Sequence, residues 1–269
     1  GIGGMLRMPP PIPAVKTSLL GLTLSLLLSL PSAAADYYVS PGGNDSAAGS
    51  VTQPWRTVQR ALTGRSPGDV VHLAAGAIFT ENVTVGSGGT AGLPVTLTSD
   101  PANRATLRQA SASSDGLFLY NKGHFTLENV IVTGVGRNLT TKAGVSAYAD
   151  NGRYGGLTFR NVSVTEFYRG FTLMGYGAAT YGFDGILMEN CEGNYNRDAG
   201  ALTWAPVAGG IANLVVRGCR FSFNLGDPYS SKNSGNGFSA GSILDGLFER
   251  CLTHDNGGLG NATAGPVGI

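Results

Sequence analysis

From residue 116 onward, apolar and polar positions alternate in short runs that return with the same internal order. One run reads Phe125-Thr-Leu-Glu-Asn129-Val130. Its counterparts are Leu157-Thr-Phe-Arg-Asn161-Val162, Ile186-Leu-Met-Glu-Asn190-Cys191, Leu214-Val-Val-Arg-Gly218-Cys219 and Gly246-Leu-Phe-Glu-Arg250-Cys251. Each places apolar side chains at alternate positions, then a polar pair ending in Asn, Gly or Arg, then Val or Cys. From Val130 the intervals are 32, 29, 28 and 32 residues. A second run precedes each, starting at Gly116, Gly144, Gly170, Gly200 and Gly237, and a third follows, as in Val130-Ile-Val and Val162-Ser-Val. The period of two predicts strands, three to a unit. A lone unit cannot bury its inward face. Stacking units buries it and pairs each strand with its copy one coil away, at about 4.8 Å. No helical period of useful length occurs, and the hairpin turns that a sandwich needs every ~8–12 residues are absent. The predicted class is all-β, a single-stranded right-handed parallel β-helix.

The repeat accounts for two compositional oddities. Glycine supplies 42 of 269 residues, about twice the usual share, and the five glycines above each open the first strand of a coil. Asn129, Asn161 and Asn190 fall at bends, where Asn tolerates left-handed backbone and can stack on its copies. Cys191, Cys219 and Cys251 occupy the place of Val130 and Val162, which predicts small buried hydrophobes; their spacing fits no compact zinc pattern. A net charge of +1 with 13% charged residues leaves no basic field for nucleic acid.

The opening differs from the rest. Arg7 and Lys16 flank a proline-rich stretch, Ser18 to Leu30 is almost wholly apolar, and Pro31-Ser-Ala-Ala-Ala35 follows. This reads as a secretory signal over residues 1–35, with a β-helix domain over 36–269 that is secreted and has no membrane segment after cleavage. A monomer is expected. Gly265-Pro-Val-Gly-Ile269 ends inside what the register makes the first strand of a further coil, so the domain is expected to be truncated at its C-terminus.

Asp36-Tyr-Tyr-Val-Ser-Pro-Gly-Gly-Asn-Asp45, Gln53-Pro-Trp-Arg-Thr-Val-Gln-Arg-Ala-Leu62, Pro67-Gly-Asp-Val-Val-His-Leu73 and Gly86-Ser-Gly-Gly-Thr-Ala-Gly-Leu-Pro-Val-Thr-Leu97 come in that order. The order resembles the N-terminal region of secreted right-handed β-helix proteins of the pectate-lyase-like superfamily. Pro54 to Leu62 then reads as a short helix capping the first coil, with Trp55, Val58, Ala61 and Leu62 on one face. The resemblance implies a carbohydrate-active protein with a polysaccharide partner, most plausibly a calcium-assisted lyase of uronic-acid polymers. The alternative is a non-catalytic polysaccharide-binding or cell-surface module. The catalytic motifs of the pectate lyases, the polygalacturonases and the alginate and chondroitin lyases are absent. The Asp-rich calcium turns of the family-nine pectate lyases are matched in part, with Asn236 where that family has Asp.

Candidate chemistry sits in the loops leading into the first strand of each coil, which vary most in length. A lyase needs a cation beside the uronate carboxylate and a base for the proton on the adjoining carbon. Arg197 is the candidate cation, Lys232 the candidate base and His254 the alternative base. Calcium (Ca2+) suits the hard oxygen donors of Asp198, Asp227, Asn236 and Asp255. Arg169, Tyr195, Trp204 and Tyr229 are candidate substrate contacts, the aromatics through sugar stacking.

Overall fold

The computed structural model describes residues 33–259, and the expected signal segment lies outside them up to residue 32. Their coils form three parallel sheets wound as a right-handed β-solenoid. The first sheet contains Val83–Thr84, Leu117–Tyr120, Ala143–Ala149, Arg169–Gly175, Ala199–Trp204 and Asn236–Ser239. The second runs from Asp36–Val39 through Val70–Leu73, Val95–Thr98, Phe125–Glu128, Arg153–Arg160, Gly182–Glu189 and Ile211–Arg217 to Ile243–Glu249. The third is made of Ile78–Thr80, Ala105–Arg108, Val130–Thr133, Ser163–Thr165, Glu192–Gly193, Arg220–Ser222 and Leu252–His254. Among the described residues each strand ladder pairs a strand with its counterpart one coil away, as the repeat predicts.

Alternation turns into interior stacks. Val71, Leu97, Leu127, Phe159, Met188 and Val216 are register partners in succession, and all are fully buried. Phe125, Leu157, Ile186 and Leu214 form a parallel stack beside them. The cysteines join the same interior: Cys191 and Cys219 are buried, Cys251 is partly buried, and all three are free thiols. Burial pushes the Cys191 thiol well up, as expected for a packing residue.

From Phe125–Glu128 onward, the bend after each second-sheet strand is left-handed whatever residue occupies it. Asn129, Asn161, Asn190, Gly218 and Arg250 have φ of 58°, 51°, 53°, 61° and 52°. Asn161 Nδ2 donates to Asn129 Oδ1 at 2.9 Å, and Arg104 Nη1 donates to the Asn161 carbonyl at 3.1 Å. At Gly218 a Cβ would lie 2.6 Å from Asn190 Oδ1, the mobile tip of that side chain, and glycine takes the left-handed bend at no steric cost. Beside this ladder Glu128, Arg160, Glu189, Arg217 and Glu249 are register neighbours of alternating charge, linked by ion pairs.

One expectation needs correction. The capping helix is only one turn, Val58–Ala61, because Trp55 is held in a β-bridge to Val39. The buried face is the expected one, with Trp55, Val58, Ala61 and Leu62 all in the core. Glu81 caps the turn by accepting from the N–H groups of Val58 and Gln59, both at 3.0 Å. Glycines at the start of first-sheet strands allow close approach of neighbouring coils. A Cβ on Gly144 would overlap Val164 Cγ1, and neither it nor Gly170 has a positive φ.

Candidate functional site

The chain reaches the first sheet from the third through segments that turn inward before they turn out. Asn196 and Asn224 are wholly buried at the inward point. Asn196 Oδ1 accepts from Phe167 N–H at 3.1 Å, Asn224 Oδ1 from Asn196 N–H at 3.0 Å, and Asn256 Oδ1 from Asn224 N–H at 3.0 Å. This interior ladder pins each coil to the next, so the two residues after Asn196 emerge at a fixed height. Those residues are Arg197 and Asp198.

Around them a compact ionic cluster forms. Arg169 Nε donates to Asp198 Oδ2 at 2.6 Å, and Arg197 Nη2 to Asp227 Oδ1 at 3.1 Å. The Asp198 side chain is 6% exposed while Arg169 is 34% exposed, so the carboxylate is inside and the guanidinium reaches solvent. Arg197 Nη1 also donates to Asn138 Oδ1, and Tyr168 OH donates to Asp227 Oδ2 at 3.1 Å. Arg169 lies over the Tyr168 ring, 5.2 Å from its centroid. Burial, followed by the charge of Asp198 and the hydrogen bond to Asp227, pushes the Tyr168 phenol up to about 12. It therefore stays a neutral donor at ordinary pH. Burial pulls Asp227 upward, yet bonds from the Tyr229 N–H, Arg197 and Tyr168 outweigh it and hold the carboxyl below its ordinary value.

Arg169, Arg197, Asp198 and Asp227 are thus brought together. Asn236 adjoins them, buried, with its N–H on the Asp198 carbonyl at 2.9 Å. Lys232 and Tyr229 lie on the loop after Asp227, both exposed, Tyr229 by 90%. Four candidates, Tyr195, His254, Asp255 and Trp204, lie elsewhere. Tyr195 stacks on Phe223 at 4.9 Å and 6°, and His254 packs edge-on against Phe223 while its Nδ1 meets Asp255 Oδ2 at 2.7 Å. Trp204 ends its first-sheet strand, at the far side from Arg169. Asn138 and the donor role of Tyr168 were not foreseen. Tyr168 had a signal, since it directly precedes Arg169; Asn138 had none.

Of the four oxygen donors expected for calcium, Asp198, Asp227 and Asn236 adjoin one another while Asp255 lies apart, and the three carboxylates are already engaged. Asp198 is bonded to Arg169, Asp227 to Arg197 and Tyr168, and Asp255 to His254. Among the described residues no three His, Cys, Asp or Glu side chains are grouped to hold a metal. These residues do not fit a calcium cage in this arrangement, and no chemical step is derived through the ion. Nor is any helix among the described residues long and apolar enough to cross a membrane.

Known proteins place this geometry in context. A stretch of 65 residues is 38% identical to pectate lyase PEL9 of Emericella nidulans, covering 24% of this chain and 16% of that protein. The solved pectate lyase Pel9A superposes with a TM-score of 0.52 at 18% identity, covering 82% of this chain and 64% of the other. A rhamnogalacturonan lyase gives 0.49 at 16% identity, over 82% of this chain and 69% of the other. The chain thus spans a small part of its curated relative and about two thirds of these structures. Residues 37–265 match the family described as Pel9A-like, right handed beta helix region. With the observed coils and that match over most of its length, the chain belongs to the Pel9A-like right-handed β-helix family.

Proposed function

We propose that this chain is a secreted protein that acts on acidic polysaccharide, as a lyase of uronic-acid polymers. The observation that carries the reading is the pair of guanidiniums, Arg169 and Arg197, each anchored by a carboxylate from the following coil and each still reaching solvent. Such groups can neutralise a uronate carboxylate and so favour loss of the proton on the adjoining carbon. Lys232, exposed on the loop that carries Asp227, is the proposed base. It takes that proton, the electron pair forms the carbon–carbon double bond, and the glycosidic bond one carbon further breaks with its pair on the leaving oxygen. Kinship with pectate lyases supports the substrate class, and the apolar segment ahead of Asp36 supports secretion.

Polygalacturonate, alginate and related uronate polymers, each offered with and without calcium, test this through the ultraviolet absorbance of unsaturated products. Absorbance growth with at least one polymer, abolished in Lys232→Ala and reduced in Arg197→Ala, is the expected result. No growth with any polymer, together with retention on a polysaccharide column, establishes the second reading, a binding module. That reading draws on the arginines being already paired with carboxylates.

A further inference from the structure

The backbone bonds that open the solenoid begin one residue ahead of the first strand, Asp36–Val39. The Ala35 carbonyl accepts from Val70 N–H at 2.9 Å, and the Ala35 N–H donates to Asp69 Oδ1 at 3.0 Å. Asp69 is 2% exposed. Its other oxygen, Oδ2, accepts from Ser66 N–H at 2.8 Å and lies 3.8 Å from Arg65 Nη1, too far for a hydrogen bond. Arg65 lies instead over the Tyr37 ring, 3.9 Å from its centroid, and its buried Nε and Nη1 have no hydrogen-bond partner. A buried carboxylate therefore holds Oδ1 against an uncharged backbone donor, where a bonded cation would match it better.

The chain supplies that cation if it is cut immediately before Ala35. The apolar run Ser18 to Leu30 is followed by Pro31-Ser-Ala-Ala-Ala35, and a leader peptidase cuts after a small residue that has another small residue two places before it. Two bonds meet this pattern: Ala34–Ala35, behind Ser32 and Ala34, and Ala35–Asp36, behind Ala33 and Ala35. The fold separates them. A cut at Ala35–Asp36 removes the acceptor of Val70 N–H and the donor of Asp69 Oδ1 together. The Asp36 amine replaces neither, because successive residues of a strand direct their N–H groups to opposite edges. A cut at Ala34–Ala35 keeps both bonds and turns the donor into an ammonium.

We propose that the chain is processed between Ala34 and Ala35 and that the new α-ammonium of Ala35 forms a buried ion pair with Asp69. Hydrolysis breaks the Ala34–Ala35 C–N bond: the oxygen of water goes to Ala34 as its carboxylate, and Ala35 keeps the nitrogen, protonated. The ion pair exists only in the processed chain, so removal of the leader stabilises the first coil. This processing point rests on the secretion reading above and moves the start of the domain from Asp36 to Ala35. The other charged groups around the amine are Arg65, beyond Asp69, and Asp36, which is bonded to His72. A free α-amine titrates at about 7.7–8.0, and pairing with a carboxylate raises that value in the folded state. The contribution of the pair is then complete below about pH 7.5 and is lost as pH rises through the folded value.

The full chain is expressed with its leader in a secreting bacterium, and the exported protein is read by N-terminal sequencing and intact mass. Ala35 is expected as its first residue. An exported chain that starts at Asp36 or elsewhere overturns the processing point and leaves secretion standing; a chain retained in the cell with its leader attached removes both. The exported protein is then acylated at its α-amine at about pH 7.5. A rise of one pKa unit leaves about a tenth of the free amine, so Ala35 is expected to react roughly tenfold more slowly in the folded protein than in denaturant. Equal rates overturn the ion pair. Asp69→Asn is expected to restore the fast rate in the folded protein, and a rate as slow as that of wild type overturns the pair as well. The difference in thermal midpoint between wild type and Asp69→Asn is expected to narrow as pH rises from about 7.5 to 10; a constant difference across that range counts against the ammonium.

Discussion

Replacing Asn196 with Ala tests whether the interior asparagine ladder holds the coils together. The side chain is fully buried. Its Oδ1 accepts from Phe167 N–H at 3.1 Å, and its Nδ2 donates to the carbonyls of Val164 and Asn194, both at 3.1 Å. The Val164 carbonyl keeps a bond from Asn194 N–H at 3.2 Å, so the substitution strands two backbone groups, Phe167 N–H and Asn194 C=O. Each stranded buried group costs about 1–3 kcal/mol, giving a loss of about 2–6 kcal/mol. That is large beside the roughly 5–15 kcal/mol that typically holds a domain together. Urea unfolding followed by circular dichroism measures it, and a slope of about 2 kcal/mol/M lowers the midpoint by roughly 1–3 M. Asn129→Ala is the comparison. That side chain is only partly buried, and the cost is dominated by its left-handed φ of 58°, at about 1–2 kcal/mol. A smaller loss for Asn196→Ala than for Asn129→Ala refutes the assignment of the inner ladder as the stronger link.

Three further outcomes follow from the same geometry. Because the folded Asp227 carboxyl lies below its ordinary 3.8, its contribution is complete above the unfolded pKa of about 3.9 and disappears as pH falls through the lower folded value. The stability gap between wild type and Asp227→Asn is therefore constant from neutral pH down to about pH 5 and closes below about pH 4, as thermal midpoints across that range will show. Cys191→Val copies Val130 and Val162 and costs less than about 1.5 kcal/mol, and the native protein leaves the buried thiols of Cys191 and Cys219 unreactive to a thiol reagent until it is unfolded. Gly144→Ala drives a methyl into Val164 and the Phe167 ring and lowers stability by about 1–3 kcal/mol in the same urea experiment.

The fold was legible because each coil meets the same constraints as its neighbours. Val130, Val162, Cys191, Cys219 and Cys251 differ in chemistry but share a place, and the bend before each of them accepted Asn, Gly and Arg alike in left-handed geometry. The cap helix was overextended because helical periodicity at Trp55 competes with a strand bridge to Val39 that only the folded chain displays. At the site, legibility followed the register. Asn196, Asn224 and Asn256 each lie five residues after a cysteine, a signal that marks a buried ladder where polar loop chemistry was expected. Lys232 and Tyr229 lie on the longest of these connections, between Arg220–Ser222 and Asn236–Ser239. It matches no neighbouring coil in length, so periodicity says nothing about where those side chains point.

The pairing pattern also limits what the ionic cluster can offer an anion. Arg169 and Arg197 are bonded to carboxylates 29 and 30 residues further on, so coil stacking alone generates two adjacent cations with matched anions. Without Asp198 and Asp227 the guanidiniums would repel each other and lose their fixed orientation; with them, an incoming carboxylate must share each guanidinium with an aspartate already bound to it. A site of that kind orients an anion well but adds modest net attraction, because the ligand exchanges one carboxylate partner for another. Affinity for a long acidic chain then has to come from surface whose partners are not yet supplied.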